Sequence, residues 1–411
     1  MNIRIAPGPL SGTAEAPPSK SFAHRELILA ALSDKPCFIK LGSVSEDIEA
    51  TVRCLSSVGA SISRRADGFG IVPVSGVPDA AVLDCGESGS TLRFMMPICA
   101  ALGISAKFIC RGRLGERPLG PLRAQLEAHG IRFASDHEIS GKLNAGEYLL
   151  PGNVSSQYVT GLLLALSLLD KPSVIRLTSP LESASYVGIT AEAMKKYGAK
   201  VQSGTDSFTV CGIGKFRSPG SSGIEGDWSN GSFWLAAGVK VRGLSLTSAQ
   251  GDRAMVRIME KMGASVEESG GCIQAIYSTL GAADVNASDI PDIVPPVALL
   301  CAASDGECRI TGAARLRLKE SDRIKSVCAT LRSLGADAEE REDGMVIRGR
   351  GALRGGVCDS YGDHRIAMTA AIASRFCTGD ITVLGAEAVN KSYPDFWEDF
   401  RSLGGKFEII G

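Results

Sequence analysis

The strongest constraint on the fold is an internal repeat. A helix end, a glycine and a short strand follow one another six times along the chain, with the glycines at Gly59, Gly130, Gly198, Gly263, Gly335 and Gly404. The interval stays close to about 68 residues throughout. Glycine is favoured where a helix ends and the backbone must turn left-handed before a strand. The chain is therefore predicted to contain six copies of one unit, each with two helices and several short strands.

A second pattern recurs with the same period. It is a polar turn of small residues that leads into a helix of small apolar residues. Its landmarks are Lys20, Gly89, Ser156, Asn230, Asp292 and Asp363. Two independent patterns that share one period make chance a poor explanation, so the six helix starts are predicted to occupy equivalent places in the fold.

The repeats fall into two groups of three. The Pro/Gly/Ser-rich stretch FRSPGSSGIEGD at 216–227 separates them and predicts a domain boundary. The sixth repeat ends one strand short, and the strand NIRIA at the N-terminus is predicted to complete it. The chain then starts in the second domain and crosses to the first at APGPLSGTAEAPP. The predicted domains are 16–222, and 1–15 together with 223–411.

Composition excludes several classes of protein. The 411 residues carry a formal net charge of -1, which argues against a general nucleic-acid binder. No apolar run approaches the roughly 18 residues of a membrane span, and the N-terminus lacks a signal-peptide core, so a cytoplasmic protein is expected. The 12 cysteines form no CxxC pair and the 4 histidines show no ligand spacing, so no metal site is predicted.

The stretch PPSKSFAHRELILAAL predicts a helix that opens near Ser19 or Ser21. Its first turns then carry Lys20, His24 and Arg25. Cations at a helix N-terminus oppose the helix dipole and crowd backbone N–H groups that lack partners. A bound anion would resolve this conflict. The alternative for one such turn is a solvated basic surface.

Other polar residues collect at the corresponding turns and in the loops between them. They are Gly89, Ser90, Arg93, Arg117, Ser155, Ser156, Gln157, Lys319, Glu320, Arg323, Asp363, His364, Arg365 and Lys391. Lys319 and Arg323 are four residues apart and would share a face if both lay on a helix. Hydroxyls, glycine and cations at helix starts are typical of phosphate sites, whereas surface ion pairs are the alternative. The stretch GESGS lacks the spacing of a nucleotide loop.

Seven motifs, in chain order, closely resemble the EPSP synthase family of enolpyruvyl transferases. They are PPSKSFAHR, ESGSTLRF, ERPLGPL, SSQYVTGLL, KESDR, YGDHRIAM and NKSYPDF. The resemblance implies an α/β (α+β) two-domain enolpyruvyl transferase fold with six βαβαββ units, three per domain, and a substrate cleft between the domains. It also implies transfer of the enolpyruvyl group of phosphoenolpyruvate to the 5-hydroxyl of shikimate 3-phosphate.

The same resemblance implies the site residues. The acid/base residues are Asp292 and Glu320, with Lys20 assisting. Shikimate 3-phosphate is expected to bind Lys20, Ser21, Arg25, Ser155, Ser156, Gln157, Ser183, Tyr186, Asp292 and Lys319. Phosphoenolpyruvate is expected to bind Lys20, Gly89, Arg117, Gln157, Arg323, Arg365 and Lys391. No metal or organic cofactor, nucleic acid or membrane is implied, and a monomer is expected.

Two positions depart from well-known family members, and two other functions stay open. Glu87 stands where many members have Asn, and Arg315 stands where some have an Asn that reaches the shikimate 4-hydroxyl. The first alternative is the sister transferase that acts on UDP-N-acetylglucosamine. Its reactive Cys would fall at Gly112, and Cys110 is out of register. The second alternative is an anion-binding scaffold without catalysis.

The residues implied for each substrate come from both predicted domains, so domain closure is expected on binding. We predict that saturating shikimate 3-phosphate lowers the radius of gyration measured by small-angle X-ray scattering. An unchanged scattering curve at saturation would count against closure.

Overall fold

The computed structural model describes residues 1–411, which form 24 strands and 12 α-helices. Two strands precede the first helix: β1 (Asn2–Ala6) and β2 (Thr13–Glu15). The helices of the first half are α1 (Lys20–Ala31), α2 (Glu46–Ser57), α3 (Gly89–Leu102), α4 (Gly120–Ala128), α5 (Ser156–Leu166) and α6 (Ala184–Lys196). Those of the second half are α7 (Trp228–Ala236), α8 (Ala254–Lys261), α9 (Val294–Ala303), α10 (Arg323–Ser333), α11 (His364–Ile372) and α12 (Phe396–Ser402).

The remaining strands alternate with these helices. In the first half they are β3 (Cys37–Lys40), β4 (Ser61–Arg65), β5 (Gly68–Val72), β6 (Ala80–Gly86), β7 (Ser105–Cys110), β8 (Ile131–Ser135), β9 (Glu138–Gly141), β10 (Glu147–Leu150), β11 (Ser173–Leu177), β12 (Val201–Ser203), β13 (Ser207–Val210) and β14 (Ser221–Gly223). In the second half they are β15 (Lys240–Arg242), β16 (Ser265–Ser269), β17 (Cys272–Ile276), β18 (Val285–Asn286), β19 (Asp305–Thr311), β20 (Asp337–Arg341), β21 (Gly344–Arg350), β22 (Gly356–Asp359), β23 (Ile381–Leu384) and β24 (Lys406–Ile409).

The strands form six sheets of four strands with one shared topology. In the second repeat the order is β6-β7-β9-β8, with β6 parallel to β7 and the other pairs antiparallel. One helix connects the two parallel strands and a second helix precedes the final hairpin, which gives the pattern βαβαββ. The predicted repeat of two helices with several short strands is therefore present six times.

The glycines that defined the repeat adopt the backbone conformation predicted for them. Each follows a helix end and has a positive φ of 80–104°: Gly59, Gly130, Gly198, Gly263, Gly335 and Gly404. A residue with a Cβ is strained in this region, whereas glycine is not. The short strand after each turn can then run back along its sheet.

Three sheets are completed by strands from elsewhere in the chain. Strand β1 lies between β23 and β24 and completes the sixth repeat, as predicted. Strand β2 pairs with β15 in the fourth repeat, and β14 pairs with β3 in the first. The prediction treated the segments that hold β2 and β14 as connections. Both strands have only three residues, which is too short to produce a recognisable alternation of apolar side chains.

The contacts divide the chain into two compact domains. The first domain comprises Pro18–Ile224, and the second comprises Met1–Pro17 with Glu225–Gly411. Each has its own core of buried apolar side chains. Helix α5, which contains the apolar stretch GLLLAL, is buried along almost its whole length. None of the helices combines the length and the apolar character that crossing a bilayer requires.

Candidate active-site half-sites in the two domains

The first domain presents several of the predicted site residues at helix starts. Helices α1, α3 and α5 begin at Lys20, Gly89 and Ser156, the landmarks chosen from the sequence. Ser183 precedes α6 with a φ of 55°, in the left-handed region that non-glycine residues rarely occupy. The structure therefore places a strained, buried serine next to a helix N-terminus, where backbone N–H groups can bind an anion.

Arg25 is a buried cation whose hydrogen-bond acceptors are all neutral. It is 2% exposed, its Nε donates to Thr190 Oγ1 at 2.7 Å, and its NH1 donates to the Ser21 carbonyl at 2.6 Å. Its NH2 donates to the Tyr186 carbonyl at 3.0 Å and to Thr160 Oγ1 at 3.3 Å. Burial lowers the pKa of Arg25 to about 9. A desolvated guanidinium without a carboxylate partner favours the arrival of an anion.

A hydrogen-bonded network joins the starts of α1, α2 and α3. Lys20 Nζ donates to Asp47 Oδ2 at 2.8 Å, and Asp47 lies in the first turn of α2. His24 Nδ1 lies 2.7 Å from Thr51 Oγ1, which lies 2.7 Å from Thr91 Oγ1. This network fixes the direction of the Lys20 ammonium.

The charge state of His24 differs from the one inferred from the sequence, which grouped His24 with the cations of α1. It is 1% exposed, and burial lowers its pKa well below the usual value, with further lowering from Lys20 and Arg25. The imidazole is therefore neutral at pH 7, and the positive charge of this helix start comes from Lys20 and Arg25.

Two arginines meet at the first residue of α3. A Cβ placed on Gly89 would lie 2.8 Å from Arg93 NH1 and 2.9 Å from Arg117 NH1. Arg117 directly follows the 3-10 helix Gly112–Glu116. The missing side chain at Gly89 therefore lets two guanidinium groups approach a helix N-terminus, which concentrates positive charge at one point.

Gln157 is oriented from both sides. Arg93 NH1 donates to Gln157 Oε1 at 2.8 Å, and Gln157 Nε2 donates to Ser90 Oγ at 3.0 Å. Helix α5 can pack this close to α3 because Gly161 has no side chain. A Cβ at this position would lie 2.3 Å from the Arg93 carbonyl oxygen. Arg93 was identified at this turn from the sequence, but it was not predicted to be a binding residue. In the structure it donates to Gln157, which was predicted to bind both substrates.

In the second domain, Arg323 binds three carboxylates. It is 1% exposed, and its Nε donates to Asp363 Oδ2 at 2.8 Å. Its NH1 donates to Asp292 Oδ1 at 2.7 Å and its NH2 to Glu320 Oε2 at 2.8 Å. Both implied acid/base residues are thus held by one guanidinium. A second bond from NH2 reaches Asp363 Oδ1 at 3.3 Å, so the carboxylates occupy four of the five N–H donors of Arg323.

Asp292 lies close to two further cations. Lys319 Nζ is 3.7 Å from Asp292 Oδ1, and Arg365 NH2 is 3.8 Å from Asp292 Oδ2. Lys319 and Arg323 do not lie on one helix, because α10 begins only at Arg323 and Lys319 is extended. Both cations reach Asp292 nevertheless, since Lys319 approaches it from the preceding loop.

Arg365 and Lys391 lie on neighbouring elements of the sixth repeat. Arg365 is buried on α11, and its NH1 donates to Asn230 Oδ1 at 3.2 Å. Lys391 ends the 3-10 helix Ala386–Lys391, and its Nζ donates to the Gly362 carbonyl at 3.3 Å. Gly362 lies just before the start of α11, so these two cations of the implied phosphoenolpyruvate clamp are brought to one region.

The two unusual residues lie in different places. The Glu87 carboxylate lies next to Gly112, where an added Cβ would be 2.8 Å from Glu87 Oε2. Arg315 NH2 donates to the Ser288 carbonyl at 2.8 Å. Glu87 therefore adds a negative charge at the turn that leads into α3, and Arg315 is held by the backbone next to β18.

Sequence reasoning missed several residues that position the implied ligands. Thr160 and Thr190 accept from Arg25, Asp47 accepts from Lys20, and Asn230 accepts from Arg365. Two signals were available: Thr160 lies one helical turn after Ser156, and Asn230 is a landmark of the repeated polar turn, although it was not assigned to the site. Asp47 and Thr190 are distant in sequence from their partners. No group of three or more His, Cys, Asp or Glu side chains is arranged to hold a metal ion.

Solved structures with the same fold define the class. The EPSP synthase from Acinetobacter baumannii superposes with a TM-score of 0.82 over 100% of both chains, at 24% identity. The enolpyruvyl transferase NikO from Streptomyces tendae superposes with a TM-score of 0.79, covering 99% of this chain and 98% of the other, at 18% identity. The fold is thus that of the enolpyruvyl transferases.

Sequence comparison identifies the family within this class. The family described as EPSP synthase (3-phosphoshikimate 1-carboxyvinyltransferase) matches residues 5–400. Proteins named 3-phosphoshikimate 1-carboxyvinyltransferase are 40% identical in Clostridium novyi, over 98% of both chains, and 41% identical in Clostridium kluyveri, over 99% of this chain and 98% of the other. The chain belongs to the EPSP synthase family.

Proposed function

We propose that this protein transfers the enolpyruvyl group of phosphoenolpyruvate to the 5-hydroxyl of shikimate 3-phosphate, with release of inorganic phosphate. The observation that carries the proposal is the cluster around Arg323, in which Asp292 and Glu320 are held together beside further cations. Such a cluster offers proton-accepting groups and positive charge for two substrates that each carry a phosphate and a carboxylate. The proposal agrees with the family to which the chain belongs.

The reaction requires three proton transfers, one to a substrate carbon and two away from the substrates. The methylene carbon of phosphoenolpyruvate gains a proton, which leaves an oxocarbenium-like centre for attack by the 5-hydroxyl. The hydroxyl loses its proton, and the resulting tetrahedral adduct then expels phosphate and loses a proton from its methyl group. We assign the hydroxyl proton to Asp292, assisted by Lys20, and the protons on the phosphoenolpyruvate side to Glu320.

The hydrogen bonds of Arg323 support this assignment. A carboxylate that accepts a charge-assisted hydrogen bond from a guanidinium keeps a fixed position, as a group that transfers a proton must. Asp292 receives such a bond at 2.7 Å and Glu320 at 2.8 Å. The resemblance assigned Arg323 to direct phosphoenolpyruvate binding. We propose instead that its main task is to orient the two carboxylates, since they and Asp363 use most of its donors.

The first domain is proposed to bind the shikimate ester. Arg25 and Ser21 would hold its carboxylate, because Arg25 is a buried cation whose present acceptors are neutral. Its 3-phosphate would bind at the starts of α5 and α6, where backbone N–H groups and hydroxyls meet. The residues of this phosphate site are Ser155, Ser156 and Ser183, with Lys319 from the second domain. Gln157 and Tyr186 would lie along the ring.

Phosphoenolpyruvate is proposed to bind at a second set of cations. In the first domain these are Lys20 and Arg117, with Gly89 leaving room beside them. In the second domain they are Arg365 and Lys391. Arginine suits this task because its planar donors match a carboxylate or phosphate in pairs. Fixing both reactants in one orientation supplies part of the rate enhancement.

The alternative acceptor, UDP-N-acetylglucosamine, is not favoured. The family and its relatives carry the name of the shikimate enzyme, and Gly112 replaces the reactive cysteine that is usual in the sister family. We further propose that the enzyme works as a monomer in the cytoplasm. Analytical ultracentrifugation of the purified protein would test the first statement, and cell fractionation would test the second.

The direct test is release of phosphate from phosphoenolpyruvate by the purified protein. Parallel reactions would contain shikimate 3-phosphate, UDP-N-acetylglucosamine or no acceptor. Release with shikimate 3-phosphate alone is expected. Release with the nucleotide sugar alone would assign the sister reaction, and release with neither would leave an anion-binding scaffold.

A Gly89→Ala change is expected to reduce inhibition by glyphosate, which the family resemblance predicts to compete with phosphoenolpyruvate. The added methyl group would lie within 3 Å of NH1 of both Arg93 and Arg117, so these side chains must move away from the anion site. The measurement is the inhibition constant at several phosphoenolpyruvate concentrations. Gly42→Ala is the matched control, because a Cβ there meets no atom within 4 Å. Equal inhibition of wild type and Gly89→Ala would refute the expectation.

A further inference from the structure

Asp252 is a buried carboxyl group that the proposed mechanism does not use. It lies in the 3-10 helix Gly251–Arg253 of the second domain and is 3% exposed. Its Oδ2 accepts a hydrogen bond from Ser229 Oγ on α7, and its Oδ1 has no hydrogen-bond partner. A buried polar oxygen without a partner is uncommon in a folded protein and calls for a physical explanation.

The geometry around Asp252 favours the protonated form. An ionised carboxylate with one oxygen unpartnered in the interior is costly, whereas the carbonyl oxygen of a neutral acid loses much less when it is buried. In the neutral acid, Oδ2 carries the proton and faces the Ser229 hydroxyl, and Oδ1 is the carbonyl oxygen. Burial, together with repulsion from Asp292, raises the pKa of Asp252 to about 7.

Asp252 is joined to the anion-binding residues through the first turn of α7. Ser229 is followed by Asn230, whose Oδ1 accepts from Arg365 NH1 at 3.2 Å. Arg365 NH2 in turn lies 3.8 Å from Asp292 Oδ2. Ser229, the partner of Asp252, is thus adjacent in sequence to Asn230, which accepts from Arg365. Arg365 is one of the cations proposed to bind phosphoenolpyruvate.

The charged groups near Asp252 come from several elements. Asp292, before α9, and Asp227, before α7, disfavour its ionised form, and Arg365 on α11 favours it. On its own turn, Arg253 donates to the Leu246 carbonyl. Glu225 accepts from Gln250, two residues before Asp252. Arg365 is therefore the cation that offsets a negative charge on Asp252, and an anion bound to Arg365 removes that offset.

We propose that Asp252 is a positioning residue of the phosphoenolpyruvate site, whose protonation is coupled to anion binding at Arg365. The neutral carboxyl group leaves the full charge of Arg365 available to the substrate. The ionised group competes with the substrate for that charge, so it weakens binding. This inference rests on the proposed function, because it takes phosphoenolpyruvate as the anion.

The test is the pH dependence of kcat/KM for phosphoenolpyruvate in wild type and in Asp252→Asn, from pH 5.5 to 9 at saturating shikimate 3-phosphate. The amide side chain of this variant is neutral at every pH. The ratio of wild type to variant cancels the titration of the substrate itself. The ratio is expected to be constant at low pH and to fall by about 5- to 10-fold as the pH rises through 7, because the ionised Asp252 adds one buried negative charge near the anion site.

Ser229→Ala provides a second and opposite test in a residue outside the binding set. The Ser229 hydroxyl can bond to either form of Asp252, but its bond to the ionised carboxylate is the stronger one, so its loss should shift the fall in kcat/KM to higher pH. This variant also tests the proposed role of Asp252 if Asp252→Asn fails to fold. Circular dichroism at each pH shows whether the variants remain folded.

The outcomes separate the inference from the proposed function. Wild-type turnover supports the function whatever the variants do, and its absence would remove both. A constant ratio across the pH range, a ratio that rises with pH, or an unshifted profile in Ser229→Ala would each overturn the role of Asp252. A falling ratio together with the shifted profile supports it.

Discussion

Replacing Asp292 by Ala or Asn is expected to lower kcat by about 10²- to 10⁴-fold, the range for loss of a general acid or base. Asp292 accepts from Arg323 at 2.7 Å and lies within 4 Å of Lys319 and Arg365, so three second-domain cations meet at it. The Asn variant keeps the shape and one acceptor for Arg323 but cannot take a proton. Steady-state phosphate release at saturating substrates measures the change.

Affinity for shikimate 3-phosphate distinguishes a chemical role of Asp292 from a structural one. Most of the proposed ligands of this substrate are in the first domain, and removal of a negative charge does not repel an anion. We therefore expect the dissociation constant, measured by calorimetry, to stay within about fivefold, which corresponds to about 1 kcal/mol. Asp305→Asn is the matched control, because Asp305 is exposed at the start of β19. Undiminished kcat in Asp292→Asn would contradict the assignment.

Replacing Arg323 by Met is expected to lower the free energy of unfolding by about 3–5 kcal/mol and to abolish turnover, because it leaves buried carboxylates without their partner. Asp363 is fully buried, and Glu320 and Asp292 are 14% and 21% exposed. Met fills a similar volume, so the loss reflects charge rather than a cavity. Urea denaturation followed by circular dichroism measures the change.

A second substitution can restore part of this stability. Asp363 is the N-cap of α11 and accepts from the Arg365 backbone N–H at 3.0 Å. Asn is also a favourable N-cap, so Asp363→Asn removes a buried charge and keeps the cap. The double variant Arg323→Met/Asp363→Asn should therefore be more stable than Arg323→Met alone. Equal stability of the two variants would show that the buried Asp363 carboxylate does not destabilise the protein when Arg323 is absent.

Much of the fold was predictable because it depends on local signals that recur. The six glycines at helix ends, the polar turns and the missing strand of the sixth repeat each follow from a few neighbouring residues. The helix starts at Lys20, Gly89 and Ser156 were placed from the same signals. Strands β2 and β14 were not recognised, because strands of three residues are defined by their partners in the sheet.

The candidate site was predictable in composition and much less so in its contacts. The sequence identified Arg25, Asp292, Glu320 and Arg323 through their motifs. It did not indicate that Arg25 is buried among threonine hydroxyls and carbonyl groups, or that Arg323 holds both acid/base candidates. These partners lie up to 165 residues apart, so no local pattern links them.

The sequence by itself determined the period, the two helices and several short strands of each repeat, the chemical types at the helix starts and the family. These depend on backbone preferences and side-chain identities that are present before folding. Only the tertiary structure decided the charge states and the direction of each donor. Burial keeps His24 neutral and raises the pKa of Asp252. The distant residues that pack beside each group decide its partners, so Arg25 has hydroxyl and carbonyl acceptors but no carboxylate.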